Sequence, residues 1–149
     1  MYFKVLCTVK NHGHSPALAV SVRVETCLLG DGRRPEFILR NFCETLRIKP
    51  DHDGDAVFPS AEIQTIFMTF LPFGDIDRSL SGREFPAIFS LIYGCINYSV
   101  HGIKGVRQTG FASHLAIEGN GELLVIRGND REWLNEKFVL TSPIIATAN

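Results

Sequence analysis

Asn11-His12-Gly13-His14-Ser15-Pro16-Ala17 is the stretch from which the fold is read. It closes one run of alternating apolar residues and opens another. On its N-terminal side Phe3, Val5, Cys7 and Val9 alternate with Lys4, Thr8 and Lys10, the period-two pattern of a half-buried strand over residues 2–10. On its C-terminal side Leu18, Val20, Val22 and Val24 alternate with Ala19, Ser21, Arg23 and Glu25, which carries a second strand to about Leu29. Asn11 and Gly13 tolerate positive φ, while Pro16 fixes its own φ and pushes Ser15 toward an extended conformation. The seven residues are expected to form a turn that joins a first pair of strands, on which later strands pack.

Beyond Gly30-Asp31-Gly32 the period changes. Pro35 suits the first turn of a helix, and Phe37, Ile38, Phe42 and Leu46 recur near helical spacing, so a helix is expected over about residues 35–47. Lys49 to Asp55 reads as a polar loop, and the β-branched and aromatic run Glu62 to Phe70 as a third strand. Pro72 to Glu84 has the composition of an exposed loop. Pro86 to Val100 is a fourth strand in which Gly94 marks a bulge or a close backbone approach. His101 to Gly105 signals a hairpin turn, Val106 to Ile117 its return strand, and Gly119-Asn120-Gly121 a further turn before Leu123 to Ile126. After Asp130 the pattern leaves open a short helix through Trp133 and Phe138 or a last strand over the final dozen residues.

Six or seven strands at short spacing, with no βαβ repeat, make residues 1–149 a single mainly β domain. The expected fold is an immunoglobulin-like antiparallel β-sandwich with one inserted helix. Its 45% apolar composition suffices for a core without metals or disulfides, and a net charge of -1 gives no basic footprint for nucleic acid. Cys7, Cys27, Cys43 and Cys95 show no C-x-x-C spacing, and reduced thiols in a reducing compartment are expected. No apolar run approaches the roughly 18 residues of a membrane span, and the start lacks signal-peptide features. As given, the domain is expected to be soluble.

The run Val9 to Ala17, with Val20 and Val22 after it, resembles the "N-x-G-x-[ST]-P-A" strand-turn-strand of uncharacterised bacterial immunoglobulin-like domains. Three further stretches resemble that family in the same order. Cys43 within Asn41 to Arg47 resembles its helix, and Phe58-Pro59-Ser60 its "F-P-G" opening of a strand. Tyr93-Gly94-Cys95-Ile96-Asn97-Tyr98, then Gly102 and Thr109-Gly110-Phe111, resembles its "Y-G-x-x-x-Y-x-D-x-x-G…T-x-F" hairpin. Ser60 replaces the usual Gly, and Ser99 stands where Asp is frequent. The resemblance covers residues 5 to about 115. It implies a fold, and a membrane anchor through an N-terminal helix on a segment absent from this chain. It implies no reaction.

Calcium takes six to eight oxygen ligands, and Asp51, Asp53, Asp55, the Val57 carbonyl and Glu62 occupy the EF-hand ligand spacing. Against that, Ala56 holds the glycine position, Pro59 lies inside the loop and a strand follows, so a solvated acidic loop explains the same residues. His12, His14, His101 and His114 suggest zinc, yet no third ligand stands at a characteristic distance, and turn histidines are usually solvated. No G-x-S-x-G, H-E-x-x-H or Gly-rich phosphate loop is present, and Cys95 reads as a packed strand residue.

The expected function is a non-catalytic binding or sensing module of a membrane-anchored bacterial protein, at the cytoplasmic face, with a protein partner and no cofactor. Function on such scaffolds collects in loops, which points to His12, His14, Asp75, Asp77, His101 and Lys104. The alternative is a calcium-dependent module or metal-dependent enzyme built on Asp51, Asp53, Asp55 and Glu62. Self-association through an exposed sheet edge is a third expectation.

Overall fold

The computed structural model describes residues 2–29, 34–48, 54–70, 87–118, 123, 125–127, 138–141 and 145–148. In chain order they form β1 (Tyr2–Lys10), β2 (Ala17–Leu29), α1 (Pro35–Ile48), β3 (Asp55–Val57), β4 (Glu62–Phe70), β5 (Ala87–Val100), β6 (Ile103–Ile117), β7 (Val125–Arg127), β8 (Phe138–Leu140) and β9 (Ile145–Ala148). Among the described residues the protein is mainly β, with two antiparallel sheets and one helix, an arrangement consistent with a β-sandwich. The larger sheet has seven strands in the order β3-β2-β5-β6-β8, with β7 paired to β5 and β9 to β6. The smaller is the ribbon β1–β4.

The first strands do not pair with each other. β1 runs against β4 from Tyr2↔Phe70 to Lys10↔Glu62, whereas β2 runs against β5 and β3. The Asn11 to Pro16 segment is therefore a corner that carries the chain from one sheet to the other, not the turn of a hairpin. The reason lies in Asn11. Its backbone N–H donates to the Ala61 carbonyl at 3.1 Å and its carbonyl accepts from Ser60 N–H at 2.9 Å, so the end of β1 is tied to the β3–β4 turn.

Register fixes what each face of the large sheet meets. Arg23 and Gly110 both lie opposite Cys95, so odd residues of β2 and β5 and even residues of β6 share one face. Helix α1 covers that face. Its apolar stripe follows the 3.6-residue period, with Leu39 buried against Leu91, Tyr93 and Ala112, and Ile38, Phe42 and Cys43 packed around them. Phe42 meets the Tyr93 ring edge to face at 5.0 Å between centroids. Gly110 lets the helix approach, because a Cβ there would lie 3.1 Å from Leu39 Cδ1. A disulfide joins Cys43 on α1 to Cys95 on β5, with Cα atoms 5.6 Å apart, while Cys7 and Cys27 are not disulfide-bonded. The expected set of four reduced thiols is thus corrected: two chain-distant cysteines meet under the helix.

The opposite face of the large sheet meets the ribbon. The Thr26 hydroxyl donates to the Phe70 carbonyl at 3.1 Å and accepts from Thr69 Oγ1 at 2.9 Å, bridging the sheets. Val5, Val20, Leu28, Val57, Ile92 and Leu115 are buried. Gly94 is a close approach, as the sequence suggested: a Cβ would overlap the Phe111 ring and come within 2.8 Å of the Arg23 carbonyl oxygen. The ribbon's outer face leaves Leu6, Ile66 and Met68 more than half exposed, at 58%, 54% and 66%.

The β5–β6 connection is shorter than expected. His101 and Gly102 form the turn, Gly102 with a φ of 79°, and β6 begins at Ile103. The open choice at the C-terminal end resolves to strands, since β8 and β9 both pair with β6. The expected loops over residues 49–53 and 72–84, the turn at 119–121 and Trp133 lie outside the described residues. Among the described residues no helix is long and apolar enough to cross a membrane.

Candidate functional site

The candidate site grows from the corner. The Asn11 side chain donates to Ser15 O at 2.9 Å and Val57 O at 2.8 Å, and its Oδ1 accepts from Gly13 N–H at 2.8 Å. One residue thereby shapes its own turn and pins it to β3. Two neighbouring residues adopt left-handed backbone conformations: Ala19, with φ 49°, in the β2 irregularity between Leu18 and Ser21, and Ser60, with φ 64°, in the β3–β4 turn. Ala17 pairs with both Val57 and Val100. The corner, the Phe58 to Ala61 turn and the His101–Gly102 turn consequently gather at one end of the molecule.

Between ribbon and large sheet at that end lies a groove of about 520 Å³, within the range of small-ligand pockets. Val20, Val57 and Ile96 give it an apolar floor, while His12, Tyr98 and Thr109 supply polar groups. Among the described residues no acidic side chain lines it. Val20 and Val57 are buried at 4% and 1% exposure, so the floor belongs to the core and the groove is a place where the sheets do not fully close.

Of the candidate residues, His12 lines this groove, and His14 is exposed in the same corner. His101 and Lys104 are exposed at the β5–β6 turn, at the same end. Asp51, Asp53, Asp75 and Asp77 lie outside the described residues. The strands flanking the 72–84 loop, β4 at Phe70 and β5 at Ala87, end away from the corner, at the far end of the sheets. Asp55 opens β3 in the large sheet opposite Val20, and Glu62 opens β4 in the ribbon opposite Lys10. The chain between them turns at Ser60 and continues as a strand, not as the second helix of an EF-hand. Among the described residues no three His, Cys, Asp or Glu side chains come together to hold a metal.

His114 is half-buried rather than solvent-facing: its Nδ1 donates to the Ser90 carbonyl at 3.1 Å and its ring stacks at a tilt on Phe89. Cys95 is disulfide-bonded and carries no thiol to act as a nucleophile. Burial pushes the Cys7 thiol above its ordinary range. Tyr93 is held well above the usual phenol range by burial first and then by Glu25, whose Oε2 accepts its hydroxyl proton at 3.0 Å. Under the helix, Gln108 Nε2 donates to Cys43 O at 2.7 Å and Asn97 Oδ1 at 2.8 Å, and its Oε1 accepts from Arg47 Nε at 3.0 Å. That buried cluster is saturated and fastens the helix to the sheet.

Val20, Ile96, Tyr98 and Thr109 belong to the family-like motifs, but nothing in the sequence marks them as lining a site. Their alternation shows which face they take, not that the opposite sheet leaves space above them. No family model matches the chain, and neither a curated protein nor a solved structure matches it.

Proposed function

We propose that the protein is a non-catalytic binding module, an immunoglobulin-like β-sandwich within a membrane-anchored bacterial protein, and that it binds in the groove beneath the Asn11 corner. The observation that carries this reading is the groove itself, apolar at its floor and edged by the Asn11 corner at one end of the sheets. His12, Tyr98 and Thr109 beside the apolar floor favour an extended segment of a partner protein that presents an apolar side chain next to a hydrogen-bonding or acidic one. The immunoglobulin-like part is supported by the way the family-like residues meet. Asn11 of the strand-turn-strand motif bonds Ser60 of the Phe58-Pro59-Ser60 motif and its neighbour Val57, and Gly94 of the hairpin motif makes room for Phe111. These contacts use the motif residues for geometry, which fits binding better than catalysis.

Amide NMR titration with short peptides alternating Val and Glu tests the proposal. Shifts are expected to cluster at residues 8–13, 96–98 and 109, and Thr109→Trp, which fills the groove, should abolish them. Shifts that map elsewhere, or that survive Thr109→Trp, would overturn it.

A further inference from the structure

We propose that the Cys43–Cys95 bond is installed by a thiol–disulfide oxidase, and that this domain therefore folds and works on the oxidising side of a membrane rather than at a cytoplasmic face. The inference rests on the disulfide and is independent of the groove.

The bond occupies a prepared place. Cys95 is fully buried in the middle of β5, directly opposite Gly110 on β6. A side chain at that glycine would stand 3.2 Å from Cys43 Sγ, so β6 is bare where the sulfurs need room. The neighbouring carbonyl of Cys43 is held by Gln108, which in turn holds Asn97, both polar side chains buried. Pairing is also selective. Cys27 packs against the same core cluster yet lies outside the disulfide, and Cys7 sits on the other sheet. The paired cysteines are 52 residues apart and belong to different elements, so the bond records a docked helix rather than proximity along the chain.

Glutathione and thioredoxin keep such a pair reduced in the cytosol, whereas secreted and periplasmic proteins retain it. The chemistry balances with a partner disulfide as oxidant. The Cys43 thiolate, on the half-buried helix, attacks that disulfide to give a mixed disulfide and one free partner thiol. Cys95, losing its proton, then attacks Cys43 Sγ and expels the second partner thiol. Two thiols of this chain lose two electrons and two protons, and the partner disulfide becomes a dithiol.

The test is a thiol count on the full chain from the cells that make it, quenched in acid and alkylated with a mass-tagged maleimide in denaturant. Two tags are expected, on Cys7 and Cys27, rising to four after reduction, with peptide mapping linking Cys43 to Cys95. In cells lacking their thiol oxidase the unreduced count should rise toward four. Four tags without reduction in normal cells, or an unchanged count without the oxidase, would overturn the proposal.

Discussion

Removing the Cys43–Cys95 bond perturbs the denatured chain more than the native one. The disulfide closes a loop of 52 residues, and the chain-entropy relation gives a loss of about 14 cal/mol/K on cross-linking, or about 4 kcal/mol at 25 °C. Cys43→Ala/Cys95→Ala should lose that stabilisation. With an m-value of about 2 kcal/mol/M, the urea midpoint should fall by about 2 M, and the melting temperature by roughly 8 to 16 °C. Each single variant should cost nearly as much as the double, because either one opens the loop, and this non-additivity is the signature of a shared bond. Reduction of the unsubstituted protein supplies the same comparison without a change in side-chain volume. Equilibrium unfolding followed by circular dichroism, with and without reductant, measures all five species. If reductant leaves the midpoint within about 0.5 M of the oxidised value, the account of loop closure fails.

Asn11→Ala deletes two donated side-chain bonds and the acceptor of Gly13 N–H, and should cost about 1–3 kcal/mol in urea unfolding while broadening the amide resonances of residues 12–16. Ser60→Gly should stabilise by about 1 kcal/mol, since the residue already holds a left-handed φ of 64° that an L side chain resists; a destabilised variant would count against the strain. Gly94→Ala should destabilise by about 1–3 kcal/mol through overlap with Phe111, and Phe111→Leu should recover part of the loss in a double-mutant cycle. Tyr93 binds its proton more tightly folded than unfolded, so its contribution is complete below about pH 10 and declines as pH rises beyond it. Tyr93→Phe should flatten that alkaline decline in unfolding midpoints measured across the range.

Alternation along the chain located the ends of β1, β2 and β4 closely, because a period of two is a local property of a strand with one buried face. The helix was legible for the same kind of reason, in Pro35 at its first turn and apolar residues near every fourth position. Gly94 could be singled out as a glycine without local need, which turned out to be a cross-strand need. The corner is the instructive case. Its Asn, Gly and Pro announced a change of direction, but alternation says which face a residue takes and nothing about which strand lies beside it. Only the reach of Asn11 to Val57, Ser60 and Ala61 decides that β1 pairs with β4.

The sequence by itself determined that this is a single mainly β chain with one helix, punctuated where it turns, since those features depend on neighbours a few residues apart. Tertiary structure alone decided which sheet each strand joins, which two of four cysteines bond, and that a gap between the sheets opens beside His12 and Tyr98. Each of these depends on residues tens of positions apart being brought within a few ångströms. No local pattern encodes that distance.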